Sequence, residues 1–528
     1  MYPGTFARSD PDRPAVLFTG TGRTVTFGEL EDRSVRLANY LHDVGLRRGD
    51  VIALSSYNHP SIFEIYWAAQ RSGLYATAIN PRLSPAEFQY ILADSGAKAL
   101  FLGPGTGPVI PGIQESHQPA HCVLFDHDGE LPAGFADYDA VLAAGSPTPP
   151  SDQPRGADML YSSGTTGRPK GIKPPLPTRQ VDEAGDTMIA MFGERLGLDE
   201  TTVYLSPAPL YHAAPLRFSA MVQALGGTVV VMEKFDAEAA LAAIEHYGVT
   251  HSQWVPTMFI RMLKLPDDVR NRYDLSTLRI AVHAAAPCPV EVKHKMMDWW
   301  GPILHEFYSS TELNGATMIT PEEWLKKPGS VGRAVLGIPR ICNDEGVDLG
   351  ANAIGTIYFE RDAVPFEYHH DPERTKQAAH PDHPTWTTVG DLGYVDDDDY
   401  LFLTDRKDFM IISGGVNIYP REIEDVLALH PVVADVGVIG VPDPEMGEQV
   451  KAFVQLAPGM EGSDELVAEL IDFVKSKVAS YKAPRSVDFI AELPRLPTGK
   501  LAKGVLKTQY GGPRLVPAGA GPDQGSHG

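Results

Sequence analysis

The chain has 528 residues, 43% of them hydrophobic and 21% charged, which is too long for one small module and gives the balance of an ordinary globular protein with ample core. Its 45 Lys and Arg against 68 Asp and Glu leave a net charge of −23; that field repels nucleic acid and anionic membranes, so any anionic ligand must be gripped by a local device. Three scattered cysteines, Cys122, Cys288 and Cys342, exclude a disulfide framework or a Cys-rich zinc module and fit a reducing compartment.

Near the N-terminus, Arg8 and Asp10 stand where a signal peptide would need an apolar run. The longest apolar candidate, Leu205 to Met232, is interrupted by prolines, His212, Arg217 and Gln223. No signal peptide and no membrane span are therefore expected, and the expected location is the cytoplasm. Leu30, Leu37, Leu41 and Val44 recur at helical spacing before Gly45, and residues 50–54 then read as a buried strand. The alternation continues with a strand at Thr228–Met232, a helix at Ala237–Tyr247, a strand at Leu278–His283 and a helix at Val290–Trp300. Strands separated by helices predict parallel sheets of the α/β class.

Pro147–Gly156 reads as a proline-rich connector. After a strand-like Tyr400–Leu403 and the charged 404–408, a new region begins with a helix over Tyr419–His430, a strand over Val432–Val441 and a helix over Asp464–Val478. That is enough chain for a small α+β domain. The expected division is a large N-terminal domain of α/β layers over 1–407, a smaller mobile α+β domain over 408–510, and a disordered tail over 511–528 that lacks any apolar period.

The strongest local signal is Tyr161-Ser162-Ser163-Gly164-Thr165-Thr166-Gly167-Arg168-Pro169-Lys170-Gly171. Glycines let the backbone turn close to an anion, amides and hydroxyls donate to phosphate oxygens, and the lysine adds charge. It is not a Walker loop, because Lys170 follows proline and the Gly-x4-Gly-Lys-Ser/Thr order is absent. The alternative is an exposed Ser/Gly turn, but hydroxyl density beside Pro-Lys-Gly favours phosphate.

This segment resembles the phosphate loop of the adenylate-forming superfamily, which comprises acyl-CoA synthetases, adenylation domains of peptide synthetases, and luciferases. Further segments resembling that family's motifs follow in order: Pro209-Leu210-Tyr211-His212, Tyr308-Ser309-Ser310-Thr311-Glu312, Gly390-Asp391-Leu392-Gly393, Asp405-Arg406-Lys407-Asp408 running into Ser413-Gly414-Gly415, and Leu496-Pro497-Thr498-Gly499-Lys500. The resemblance implies the adenylate-forming enzyme fold and an acid–CoA ligase using ATP, Mg²⁺ and CoA.

By the same resemblance, Ser163, Gly164, Thr165, Thr166, Gly167, Lys170, Tyr308, Thr311, Asp391 and Arg406 hold nucleotide, and Glu312 holds the metal. Lys500, Glu312, Thr165 and His212 act in catalysis, with Lys500 bridging acid and α-phosphate. Asp408 is the hinge about which the small domain turns, and Ser413, Gly414, Gly415 and Lys482 meet CoA. His212, Ala213, His283, Ala284, Ser309 and Leu313 line the acyl pocket.

Small residues at Ala213, Ala214, Ala284 and Ala285 near the motif positions suggest a roomy apolar pocket without a nearby cation for a second carboxylate, and hence a bulky apolar monocarboxylic acid: medium-chain, aryl, terpenoid or steroid-like. The expected partners are that acid or its acyl-adenylate, ATP and CoA, without nucleic acid, and self-association into a homo-oligomer is compatible with the sequence. Leu313-Asn314-Gly315 stands where relatives often carry Gly-Asn-Gly. That leucine either reshapes the acyl pocket or impairs adenylation, leaving an enzyme for thioesterification of a supplied acyl-adenylate. Other rivals are loading of a free-standing carrier protein, since too little chain follows Lys500 for a fused one, luciferase-like oxidation, and a binding protein without catalysis; intact Lys170, Glu312, Asp391, Arg406 and Lys500 oppose the last. Asp396–Asp399 reads as a solvated turn, and the proline-interrupted His369, His370, His380 and His383 as a surface loop.

Overall fold

The computed structural model describes residues 2–115, 118–162, 169–406, 409–414, 416–495 and 501–510, with backbone alone at 405 and 406. Two sheets dominate the N-terminal part. One orders Phe135–Asp137, His121–Leu124, Ala99–Leu102, Val51–Ser55, Tyr75–Ala78 and Ala157–Asp158, all parallel. Its central strands are buried on both faces, as helix-covered parallel strands must be.

The larger sheet has two characters. Pro14–Phe18, Thr228–Val231, Val203–Ser206, His251–Trp254, Ile280–His283 and Leu304–Ser309 pair in parallel. From Leu304–Ser309 onward pairing becomes antiparallel, through Ala316–Ile319, Ser330–Leu336, Leu401–Arg406 and Asp391–Val395. The parallel sheets expected from sequence thus describe only part of the molecule. The change begins where a short turn joins Leu304–Ser309 to Ala316–Ile319, because a link that short can join only antiparallel neighbours.

Helix ends follow local chemistry. Asp236 accepts from the Ala239 amide and Gly248 closes the helix Ala237–Tyr247 at φ 61°. Ser84 and Glu87 form a reciprocal capping box at the start of Pro85–Ser95. The C-terminal part is α+β: Val433–Asp443 and Gly447–Leu456 pair antiparallel, Ser486–Phe489 joins in parallel, and Pro420–Leu427 and Asp464–Lys475 cover a separate apolar cluster. Among the described residues no helix is long and apolar enough to cross a membrane.

Candidate active site

The antiparallel turn in the large sheet sets up the site. Strand Leu304–Ser309 delivers Tyr308, whose hydroxyl donates to Asp391 Oδ2 at 2.6 Å. Asp391 opens the strand Asp391–Val395, so the two motif residues meet through sheet closure. The turn after Tyr308 is self-braced: Ser309 Oγ donates to the Gly315 carbonyl at 2.7 Å and Ser310 Oγ to Asn314 Oδ1 at 2.9 Å. Buried Asn314 donates to the Thr387 carbonyl at 3.0 Å. A Cβ on Gly315 would stand 2.0 Å from the Phe359 ring, so glycine is required there. Leu313 has φ 50°, a left-handed backbone that a branched side chain adopts only under strain.

Tyr368, which the motifs do not include, links this turn to the phosphate-loop segment. Strand Lys170–Lys173 runs antiparallel to Glu367–Tyr368. The Tyr368 hydroxyl donates to Glu312 Oε1 at 2.9 Å, and Lys170 Nζ lies 5.2 Å from its ring centroid. Glu312 is itself buried. Beside this chain lies a cleft of about 280 Å³ whose wall includes Lys170, Tyr368, His369, His370 and Arg374. Here the expected histidine surface loop divides: His380 is buried and bonded to the Gly346 carbonyl at 2.7 Å, its ring against Trp386. Among the described residues no group of three His, Cys, Asp or Glu could hold a metal ion.

His212 immediately precedes the helix Ala213–Ala224, without a side-chain capping bond to it. Arg217, Ala220, Met221 and Ala224 recur on it at i, i+3, i+4 and i+7 and form one face. That face lines a cavity of about 250 Å³, closed elsewhere by Leu313 and others. Phe218 points away and is packed against Phe192 and Phe307, with centroids 5.2 and 5.4 Å distant. Arg217 Nε donates to Asp158 Oδ2 at 2.8 Å and its Nη1 to the Thr311 carbonyl at 3.3 Å. The cation that sequence spacing did not reveal therefore stands directly behind the Thr311-Glu312 turn. Its signal was present: Arg217 shares the helical period of the small residues.

Of the residues expected to line the acyl pocket, Leu313 is on this wall; Ala213, Ala284 and Ser309 lie in the surrounding structure but not on it. His283 is elsewhere. Successive residues of a strand face opposite sides, so while Ala284 joins the core beside Phe307, His283 turns to the other side, fully buried against Phe259 and 3.5 Å from Glu306. Glu306 also accepts from buried Lys293 at 2.7 Å. Burial, with the Lys293 charge adding to it, presses the His283 imidazole well below its ordinary range.

In the C-terminal part, Ser413 pairs with Gly447 and Gly414 is exposed at φ 58°, its amide donating to the Met446 carbonyl at 2.8 Å. Lys482 Nζ donates to both Glu422 carboxylate oxygens, at 2.6 and 2.9 Å. Ser163, Gly164, Thr165, Thr166, Gly167, Asp408, Gly415, Lys500 and the 511–528 tail lie outside the described residues, as does the Arg406 side chain.

The sequence pattern of the AMP-binding enzyme family matches residues 5–369, and that of the AMP-binding enzyme C-terminal domain matches residues 422–500. The chain is 33% identical over 518 residues to the feruloyl-CoA synthase of an Amycolatopsis species, covering 97% of this chain and 98% of that one. It is 31% identical over 512 residues to the fatty acid–[acyl-carrier-protein] ligase ScoC of Streptomyces coeruleorubidus, covering 96% and 95%. Among solved structures, the anthranilate CoA ligase AuaEII in complex with anthranoyl-AMP matches with a TM-score of 0.81 at 26% identity, over 96% of each chain.

Proposed function

The chain belongs to the AMP-binding enzyme family and is an ATP-dependent, AMP-forming acid–CoA ligase, and we propose that its acid is compact with an apolar body and that the motif residues named above do the chemistry. A carboxylate oxygen attacks the α-phosphorus of ATP and expels diphosphate, which turns a poor leaving group into AMP. The CoA sulfur then attacks the acyl carbon, AMP departs with that oxygen, and the thiol proton is lost. One juxtaposition supports this most: Tyr308 on Asp391, and Glu312 on Tyr368 beneath Lys170, gather segments 83 and 56 residues apart around one turn.

In this reading Asp391 accepts ribose hydroxyls, Tyr308 flanks adenine, and Lys170 with the cleft beside it neutralises the triphosphate. A magnesium ion needs only one or two carboxylates when phosphate oxygens complete its shell, and the buried Glu312 fits that role. The ion would supply charge neutralisation on the phosphates. Lys500 contacts acid and α-phosphate in one orientation of the C-terminal part, and rotation about Asp408 brings Ser413, Gly414 and Gly415 to pantetheine in the other. The part that moves is residues 408–510.

The cavity of about 250 Å³ is below the roughly 300–1,000 Å³ usual for ligand sites, and Ala220, Met221, Ala224 and Leu313 give it an apolar side. These features favour an aryl or short branched acid over terpenoid or steroid-like ones. The strained Leu313 favours one second reading, an enzyme confined to thioesterification of a supplied acyl-adenylate. Loading of a carrier protein, the activity named for ScoC, differs only in the accepting thiol. The test is diphosphate release from ATP and Mg²⁺ across a panel of compact acids, followed by addition of CoA. Acid-dependent release and a CoA thioester are expected. Silence with every acid, alongside thioester formation from a preformed acyl-adenylate, would replace the proposal with the half-reaction enzyme.

A further inference from the structure

The wall of the 250 Å³ cavity carries three guanidiniums, Arg155, Arg179 and Arg217, against two carboxylates, Asp158 and Asp186. Asp186 Oδ2 is shared, accepting from Arg155 Nη2 at 3.1 Å and from Arg179 Nη2 at 3.3 Å. Asp158 accepts from Arg217 Nε at 2.8 Å and from Gln70 at 3.4 Å. The side chains of Arg217 and Asp158 are only 11% and 8% exposed.

Such a buried pair is a poor stabiliser, because desolvating both charges offsets most of their attraction and apolar residues of similar volume would serve as well. An uncompensated positive charge in a largely buried cavity wall is more costly still, because its desolvation is not repaid by a partner. Burial and the adjacent Arg155 charge together push the Arg179 guanidinium below its ordinary range, as expected where negative charge is short. Arg217 has used two of its five N–H donors, on Asp158 and the Thr311 carbonyl. It is also held by Asp158 at fixed geometry, in the same cavity wall as Met221 and Leu313, with three further N–H donors on its guanidinium.

We infer that Arg217 is a specificity-determining residue that receives a second, anionic group on the acid, remote from the carboxylate being activated. This rests on the acid–CoA ligase reading of the same site. The substrate class is then a compact acid with an apolar middle along Ala220, Met221 and Leu313, and a second carboxylate or equivalent anion at Arg217. Arg155 and Arg179 supply the surrounding positive potential and bind Asp186, which leaves Arg217 to make the direct contact.

The experiment compares matched pairs of acids, each a compact cyclic or branched monocarboxylic acid and its analogue bearing a second, remote carboxylate, together with the methyl ester of that second carboxylate. CoA thioester formation is measured for the wild type, Arg217→Met and Arg217→Lys. Binding of the matching non-reactive acyl-sulfamoyl adenosines is measured separately by calorimetry. Wild type is expected to prefer a diacid over its ester at least 10-fold, and Arg217→Met to lose about 100-fold on the diacid and at least about 10-fold less than that on the ester, as removal of a charge-assisted contact predicts. Arg217→Lys should restore part of the preference. Equal loss on diacid and ester, or a wild type that favours the ester, would overturn the inference while leaving the ligase reading intact. Arg217-dependent preference for diacid analogues in calorimetry without any thioester would sustain the inference and overturn the ligase reading.

Discussion

The Tyr368 hydroxyl donates to Glu312 Oε1 at 2.9 Å while its ring lies 5.2 Å from Lys170 Nζ. One tyrosine thus fixes the carboxylate proposed to hold magnesium and lies against the ammonium proposed to meet the triphosphate. Tyr368→Phe keeps the ring and removes the bond to a charged acceptor, a loss of roughly 1.5–3 kcal/mol where the charge matters. Diphosphate release should fall at least about 10-fold, and the Mg²⁺ concentration for half activity should rise. Thioester formation from a preformed acyl-adenylate should barely change. An unaltered Mg²⁺ titration would show that Tyr368 does not position Glu312.

Leu313 sits at φ 50° and on the cavity wall. Left-handed backbone costs a branched residue roughly 1–2 kcal/mol, which glycine avoids. Leu313→Gly should therefore raise the Tm by a few degrees or leave it unchanged despite losing a side chain. It should alter which acids are accepted more than the rate with ATP. A drop in Tm typical of a core truncation would mean that packing outweighs strain at this position.

Lys500→Ala should abolish adenylate formation while sparing thioester formation from synthetic acyl-adenylate, since the lysine acts in one orientation only. Asp408→Pro should trap one orientation, because proline fixes φ near −65°. A swing must also release two cross-contacts, Arg421 Nη1 on the Leu403 carbonyl at 3.2 Å and Lys264 Nζ on the Val433 carbonyl at 2.7 Å. Rapid-quench measurement of each half-reaction decides: equal loss of both in Lys500→Ala, or full turnover in Asp408→Pro, contradicts the two-orientation scheme.

Burial lowers His59, His251, His283 and His305 below the ordinary histidine value of 6.5. Below that pH the unfolded chain binds protons that the folded chain does not, so stability present above 6.5 is lost as pH falls. Each such histidine contributes a slope of up to about 1.4 kcal/mol per pH unit. Thermal unfolding should show Tm declining steeply from pH 6.5 to pH 5, and less steeply in His283→Gln. A flat profile over that interval would mean that these imidazoles protonate in the folded state.

Sequence alone determined what depends on neighbours along the chain. The helices Ala237–Tyr247 and Val290–Trp300 occupy the predicted bounds because apolar period, an aspartate N-cap in the first and a glycine after each end are all local signals. The motif order similarly singled out Tyr308, Glu312, Lys170 and Asp391 as site candidates before any contact among their segments was visible. Tertiary structure decided the rest, because strand pairing and facing are non-local. It turned the second half of the large sheet antiparallel, set His283 on the opposite face from Ala284, and brought Tyr368 to Glu312 across a sheet that no spacing encodes. Arg217 is the sharpest case: along the chain it interrupts an apolar run while sharing the helical period of the small residues, and only packing of its helix sets it on Asp158 and the Thr311 carbonyl.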